Sequence, residues 1–426
     1  MSAARSSFFS SARGSLSLLI AINLCCYLDR YILAAVIPRL KLEFLAGDPD
    51  ANGKAGLLTT AFLVTYMLTA PLFGWLADRF SRWTLIGVSV AFWSLASGAS
   101  GLAAGFIMLL CTRIFLGVGE AGYAPAAPTI ISDFYPVEKR GLVMSWFYMA
   151  IPVGSALGFA WGGLVAEHLG WRWAFYLVVP PGLLLAMIAF FMKDPRRAKT
   201  TKTVEIAHRA GIADYKRLLK IPSLRTNIIA QTAMTFAIGG LSVWLPTYIH
   251  EARGEPLGRT DMIFGGILVV AGLVSTLTGG WLGDRLRARF RGSYFLVSGC
   301  GMLIGFPATI AMLYVPFPAA WICIFVAIFF VFLNTGPANT ALANVTPRAI
   351  RASAFALTIL VIHLLGDVLS PPLIGWIKDH GSWNLSFLTV SAAMLVAGVI
   401  WLSNTRSLIR DSAAVEAAEE TTSPAA

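Results

Sequence analysis

Runs of apolar residues, each about 20 residues or longer, follow one another along nearly the whole chain, with only short polar punctuation between them. A run of that length crosses a bilayer as a helix. The pattern predicts twelve spans near residues 15–44, 55–77, 83–104, 106–134, 141–166, 172–192, 223–250, 260–282, 292–315, 319–345, 352–377 and 384–403. Neither the alternation of half-buried strands nor the single apolar stripe of soluble helices recurs. The first run continues past Asp29 and Arg30, too long and too polar in its middle for a secretory signal, so it reads as a retained span.

Composition removes the soluble alternatives. Hydrophobic residues make up 57% of the chain and charged residues 13%, about half of what a soluble domain needs to face water. The net charge of +11 does not imply a nucleic-acid partner, because the basic residues sit in short loops between apolar runs and form no basic face. Most of them flank the even-numbered loops and the two termini. The positive-inside rule then places both termini and the central loop in the cytoplasm. Cys25, Cys26, Cys111, Cys300 and Cys323 all fall within apolar stretches, without metal-ligand spacing, and read as packing residues. No metal or cofactor is expected.

The loop after the second span reads Gly74-Trp-Leu-Ala-Asp78-Arg79-Phe-Ser-Arg82, and the loop after the eighth reads Gly280-Trp-Leu-Gly-Asp284-Arg285. A fainter echo joins Glu167-His168-Leu-Gly-Trp171 to Asp379-His380-Gly-Ser-Trp383. Two parallel six-helix halves are the architecture this implies. The boundaries expected are an N-terminal bundle over 1–192, a surface linker over 193–222, a C-terminal bundle over 223–405 and a disordered tail over 406–426. A short amphipathic helix is expected in the linker at Ala213-Asp-Tyr-Lys-Arg-Leu-Leu-Lys220.

The repeated loop motif resembles the cytoplasmic signature of the major facilitator superfamily. The resemblance implies an all-α polytopic fold of twelve helices. It also implies a cytoplasmic gate in which Gly74, Asp78, Arg79 and Arg82, with Asp284 and Arg285, latch the halves together through ion pairs. The alternative is that these charges only anchor topology.

Charges within spans mark function by default, since one at the bilayer centre costs about 2.5–3.5 kcal/mol on insertion scales. Asp29 and Arg30 lie in the first span, Arg113 and Glu120 in the fourth, and His363 and Asp367 in the eleventh. Arg113 and Glu120 share a helix face but stand about 10 Å apart along the axis, so each is expected to find another partner. A polar cluster of Asp29, Arg30, Arg113 and Glu120 is predicted. Arg30 is expected to hold its neighbour Asp29 ionised, leaving Glu120 as the first candidate for proton coupling. A permanent ion-pair cluster that fixes packing is the competing reading. For His363 and Asp367 that reading is a packing hydrogen bond. Gly154, Gly158, Gly162 and Gly163 have the small-xxx-small spacing of close helix packing, and Pro152, Pro180-Pro181 and Pro371-Pro372 predict kinks.

A narrower resemblance runs along most of the chain. Tyr27-Leu-Asp29-Arg30-Tyr31, Thr112-Arg113-Ile-Phe-Leu-Gly117-Val-Gly119-Glu120-Ala121-Gly122-Tyr123, and His363-Leu-Leu-Gly366-Asp367-Val-Leu-Ser370-Pro371-Pro372 are similar to the spinster branch of the superfamily. Gly122 is a departure, since spinster proteins commonly have serine there. The resemblance implies a carrier of lysophospholipids or sphingosine phosphates, with Arg30 on the anionic headgroup, Asp29 and Glu120 in proton coupling, and Arg113 supporting Glu120. Tyr27, His363 and Asp367 would line the substrate site. Phe325, Phe329, Phe330 and Phe332 can supply an apolar wall for an alkyl tail, or can face lipid. The expected partners are an amphiphilic anion, protons and membrane lipid, with the chain acting as a monomer in a bacterial inner membrane. The competing functions are a symporter of a small organic anion and a transporter-like sensor. A membrane enzyme is disfavoured, since no catalytic signature is present.

Overall fold

The computed structural model describes residues 8–135, 143–144, 146–194, 216–347 and 350–422. Twelve helices among them are long and apolar enough to cross a membrane: α1 (Ala12–Phe44), α2 (Ala51–Ala77), α3 (Arg82–Gly101), α4 (Phe106–Phe134), α5 (Trp146–His168), α6 (Trp171–Phe191), α7 (Pro222–Arg253), α8 (Leu257–Arg287), α9 (Ser293–Tyr314), α10 (Ala320–Asn344), α11 (Ser353–His380) and α12 (Trp383–Ser403). Each lies within a few residues of the span its apolar run predicts. The surface is inverted relative to a soluble protein. Leu68, Leu95, Ile107, Leu277 and Ile322 are exposed, while serines, threonines and amides are buried. That distribution suits lipid as the solvent.

Five of the described spans are interrupted close to prolines: α5 at Met149 ahead of Pro152, α10 at Asn334 ahead of Pro337, and α4, α6 and α11. Helix α4 breaks at Gly122–Pro125, where Gly122 N–H donates to Gly119 O and Tyr123 N–H to Glu120 O in tight turns. Pro125 has no N–H to continue the ladder. Helix α6 is divided between Trp171–Tyr176 and Val179–Phe191, with Pro180 and Pro181 opening the second piece. Helix α11 carries a π-turn at His363–Asp367, closed by Val368 N–H to His363 O at 3.0 Å, immediately before Pro371-Pro372. Such turns shift the register of every side chain beyond them.

The chain divides into two compact units, residues 1–203 with Pro246–Val269, and residues 204–245 with Val270–Ala426. The far ends of α7 and α8 therefore pack with the first unit, where a division of six helices plus six would have left them in the second. In the first unit α1 lies along α5. A Cβ on Gly154 would stand 2.7 Å from Leu24 O, and one on Gly162 would stand 2.8 Å from Ala35 Cβ. The small-residue spacing of α5 thus serves close packing, as its pattern predicts.

The second unit is tied by neutral hydrogen bonds. Asn227 Nδ2 donates to Ala338 O (2.9 Å), Trp401 Nε1 to Asn227 Oδ1 (3.0 Å) and Trp244 Nε1 to Pro371 O (2.7 Å). The tail corrects an expectation: Thr405–Thr422 is a helix, α13, not a disordered segment. It is held because Asp411 Oδ2 accepts from Ser223 N–H and Oγ (3.0 and 2.8 Å), capping the start of α7, and Arg287 pairs with Glu416 at 2.7 Å. Of the expected linker helix, Ala213–Tyr215 lie outside the described residues. Lys216–Leu218 are helical.

Candidate functional site: a buried charge cluster in the first unit

Four charged residues of the first unit converge on α1 and α4, and the geometry divides them into two pairs of surroundings. Arg30 Nε donates to Glu120 Oε2 at 2.6 Å, with the Glu120 side chain fully buried and that of Arg30 20% exposed. The Cys26 thiol, one turn before Arg30, donates to the same oxygen at 3.1 Å. The Arg30 guanidinium lies over three rings, 4.8 Å from the Tyr27 and Phe62 centroids and 5.2 Å from that of Tyr66. These rings flank the charge, and their π faces compensate part of its desolvation. The break in α4 follows Glu120 directly, so this carboxylate stands at the end of a helical segment.

Asp29 points elsewhere, although it is the neighbour of Arg30. Successive residues on a helix project about 100° apart, and Asp29 turns toward α3. There Ser97 Oγ donates to Asp29 Oδ1 at 2.5 Å, while Oδ2 has no partner. Asp29 also lines a cavity of 230 Å³ between α1, α3, α5 and α6, with Cys25, Trp93, Ser94 and Trp161. Arg113 is 1% exposed. Its Nη2 donates to Ser100 Oγ, its guanidinium lies 5.1 Å from the Phe175 ring centroid, and its Nε is unpartnered. Among the described residues it makes no ion pair.

The predicted cluster therefore exists, with different pairing. Arg30 binds Glu120, not Asp29, and Arg113 leans on a serine and a ring, not on Glu120. The serines of α3 were missed by sequence reasoning. Ser94, Ser97 and Ser100 recur every three residues, which is the signal that locates them; Ser97 faces Asp29 of α1, Ser100 faces Thr112 and Arg113 of α4, and Ser94 abuts Gly182 of α6. Cys26 was read as packing only. Its place one turn before Arg30 makes it a donor to the arginine's partner.

Gly122 has a structural consequence. A Cβ there would overlap Ser89 Oγ and come within 2.9 Å of Phe73, and that Ser89 hydroxyl has no hydrogen-bond partner. The glycine leaves room for Ser89 where a larger residue would displace it.

The loop charges behave differently from one another. Arg82 is fully buried and binds within its own unit, to Asp194 Oδ1 and Asp133 Oδ2, each at 2.6 Å, and to Thr129 Oγ1 at 3.1 Å. Arg79 is exposed, donates to Trp75 O at 3.3 Å and stacks 3.8 Å from that ring's centroid. A Cβ on Gly74 would meet nothing within 4 Å, so close helix approach is not what that glycine provides here. The Asp78 side chain lies outside the described residues. In the second unit Asp284 accepts from Tyr294 OH at 2.8 Å, and the Arg285 guanidinium lies 5.4 Å from the Trp281 centroid.

Also in the second unit, His363 Nδ1 lies 2.6 Å from Asp367 Oδ2, at the two ends of the π-turn. The helix-10 phenylalanines are half-buried, with Phe325 and Phe329 stacked at 6.2 Å. Among the described residues no group of three or more His, Cys, Asp or Glu is arranged to hold a metal.

A twelve-helix membrane protein with charges buried in one bundle and repeated loop motifs is a transporter of the major facilitator type, and comparison with known proteins agrees. The model of the Major Facilitator Superfamily matches residues 19–366. The chain is 35% identical to protein spinster homolog 1 of Xenopus laevis, over 85% of this chain and 72% of that one. It is 29% identical to the probable sphingolipid transporter spinster homolog 1 of Arabidopsis thaliana, over 90% of this chain and 87% of that one. The fold superposes with a TM-score of 0.79 on a bacterial homologue of the human lysosomal transporter spinster, at 21% identity, covering 99% of this chain and 100% of that one. The chain belongs to the spinster family of the Major Facilitator Superfamily. Its relatives are transporters, not enzymes.

Proposed function

We propose that this protein is a proton-linked carrier of a lysophospholipid or a sphingosine-phosphate-like amphiphile, working by alternating access as a monomer in a bacterial inner membrane with both termini in the cytoplasm. The observation that carries this reading is the single guanidinium of Arg30, bonded to a wholly buried Glu120 and still partly accessible. An arriving anionic headgroup competes with Glu120 for that guanidinium. A carboxylate that loses its bonded cation inside a bundle is costly as an ion, so it takes up a proton as it releases Arg30. Occupancy of Arg30 and protonation of Glu120 are thereby linked.

Asp29 fits a second protonation step. It is 2% exposed, has one serine donor, and is near Arg113 without being bonded to it. Arg113 keeps positive charge close to both carboxylates from outside the headgroup position. Tyr27, whose ring flanks Arg30, shapes the headgroup pocket. His363 and Asp367 are the candidate polar substrate contacts within the second unit. The loop residues Gly74, Asp78, Arg79, Arg82, Asp284 and Arg285 serve the cytoplasmic gate. Support for a lipid substrate comes from the name of the Arabidopsis relative, a probable sphingolipid transporter, and from the apolar phenylalanines of α10.

The test is uptake by the purified protein in liposomes, with and without a pH gradient. Lysophospholipid movement that responds to the gradient in wild type and is uncoupled in Glu120→Gln, with binding retained, supports the proposal. Uptake of a small organic anion without any lysolipid movement would reassign Arg30 to a carboxylate and sink the lipid reading.

A further inference from the structure

A fifth buried charge lies far along the first unit from the cluster. Asp261, on the second turn of α8, is 0% exposed, and neither carboxylate oxygen has a hydrogen-bond partner. It occupies the middle of an antiparallel seam between α5 and α8. A Cβ on Gly265 would lie 2.9 Å from Ala156 O. Phe264 meets Phe159 edge to face at 5.0 Å. A Cβ on Gly163 would lie 2.7 Å from Asp261 Oδ2, and Gly258 abuts Glu167 Oε2. Small residues thus face the carboxylates at two levels of the seam, and the helices come too close for water to solvate Asp261.

The surrounding charges leave one cation for it. On α1, Lys41 is engaged by Glu251 of α7 at 2.6 Å. On α8 itself, Arg259 is exposed and turned to Glu255 at 3.7 Å. Glu167 on α5 offers no positive charge and lies one turn away, at Gly258. Arg39 on α1 is the remaining charge that acts on Asp261. No ion pair within 4.0 Å joins the two among the described residues, and Arg39 Nη1 is itself buried without a partner.

An unpaired carboxylate ion in such a seam is costly, whereas the neutral acid fits it. A buried carboxyl left unbonded by the one cation that acts on it is an arrangement that suits the neutral acid better than the ion. We propose that Asp261 is a further proton-binding site of this transporter, separate from Glu120 and Asp29, whose occupancy by a proton holds the α5/α8 seam closed. On losing the proton the carboxylate must reach Arg39 or water, and either movement parts the seam. The proposal is independent of the substrate and of the coupling role given to Glu120.

The test is amide hydrogen exchange of the intact protein in lipid nanodiscs across a pH series, corrected for intrinsic exchange. The segments read are residues 156–168 and 257–265. In wild type their exchange should rise about tenfold per pH unit as the carboxyl ionises, then level off. Asp261→Asn should keep both segments protected at every pH. Arg39→Gln should move the rise to higher pH, because the cation that favours the ion is gone. This second variant keeps the idea testable if Asp261→Asn does not fold. Glu120→Gln should leave the rise in place. Exchange in Asp261→Asn that follows wild type, an unmoved midpoint in Arg39→Gln, or loss of the rise in Glu120→Gln would each overturn the inference. The last outcome would assign the response to the central cluster.

Discussion

The interiors of the two units are built from different chemistry. Among the described residues every fully buried charged side chain, Asp29, Arg82, Arg113, Glu120 and Asp261, belongs to the first unit. The second unit buries amides, hydroxyls and indoles, exemplified by Asn227, Asn334 and Trp401, and keeps the His363–Asp367 pair partly exposed. A neutral hydrogen bond contributes about 0.5–1.5 kcal/mol and is insensitive to pH near neutrality. A buried charge is held only by its partners, and its loss or gain of a proton reshapes what surrounds it. The first unit therefore holds the buried groups whose protonation would alter their surroundings, and the second is packed mainly through neutral groups.

Four substitutions sharpen or break this contrast. The largest effect is expected for Arg30→Ala, which strands the Glu120 carboxylate and should destabilise the protein by about 3–5 kcal/mol. Adding Glu120→Gln to that variant should restore much of the loss, read as thermal unfolding in detergent. A double variant no more stable than the single would show that the pair matters for packing alone.

Next comes Ser97→Ala, which removes the only hydrogen bond to Asp29 and should cost about 1–3 kcal/mol. An unchanged melting temperature would mean that Asp29 finds another partner, such as Arg113. In the second unit, Asp411→Ala strips the cap from Ser223 and should cost about 0.5–2 kcal/mol, with faster amide exchange in α13 as the local sign.

The smallest change is expected for His363→Ala. A partly exposed pair contributes roughly 0–1 kcal/mol, so stability should barely move. The gradient response of transport should also persist. If that response were lost as fully as in Glu120→Gln, proton chemistry would be shared by both units and the contrast would fail.

Much of this molecule is legible in its sequence. The twelve spans, the small-residue face of α5 and the membership of the central cluster follow from run length, spacing and the cost of charge in lipid. Each of those is a local property or a sum over neighbours in sequence. Asp261 was not legible. It sits near the start of its apolar run, where an acidic residue reads as one that reaches the membrane surface, and only the close approach of Gly163 from another helix buries it. The tail was misread for a related reason. Its composition is that of a disordered segment, and its helix is held by Ser223 and Arg287, residues distant in sequence.

The sequence by itself determined that this chain crosses a membrane twelve times, that it repeats a loop motif between its halves, and that charges fall within the first, fourth and eleventh spans. Hydrophobic run length and charge placement leave no other solvent for it. Tertiary structure alone decided the pairing: Arg30 with Glu120, Asp29 with Ser97, Arg82 with Asp133 and Asp194. A helix fixes the direction of each side chain about its own axis, but which neighbour stands in that direction depends on how the helices pack, and no periodicity along one chain encodes that.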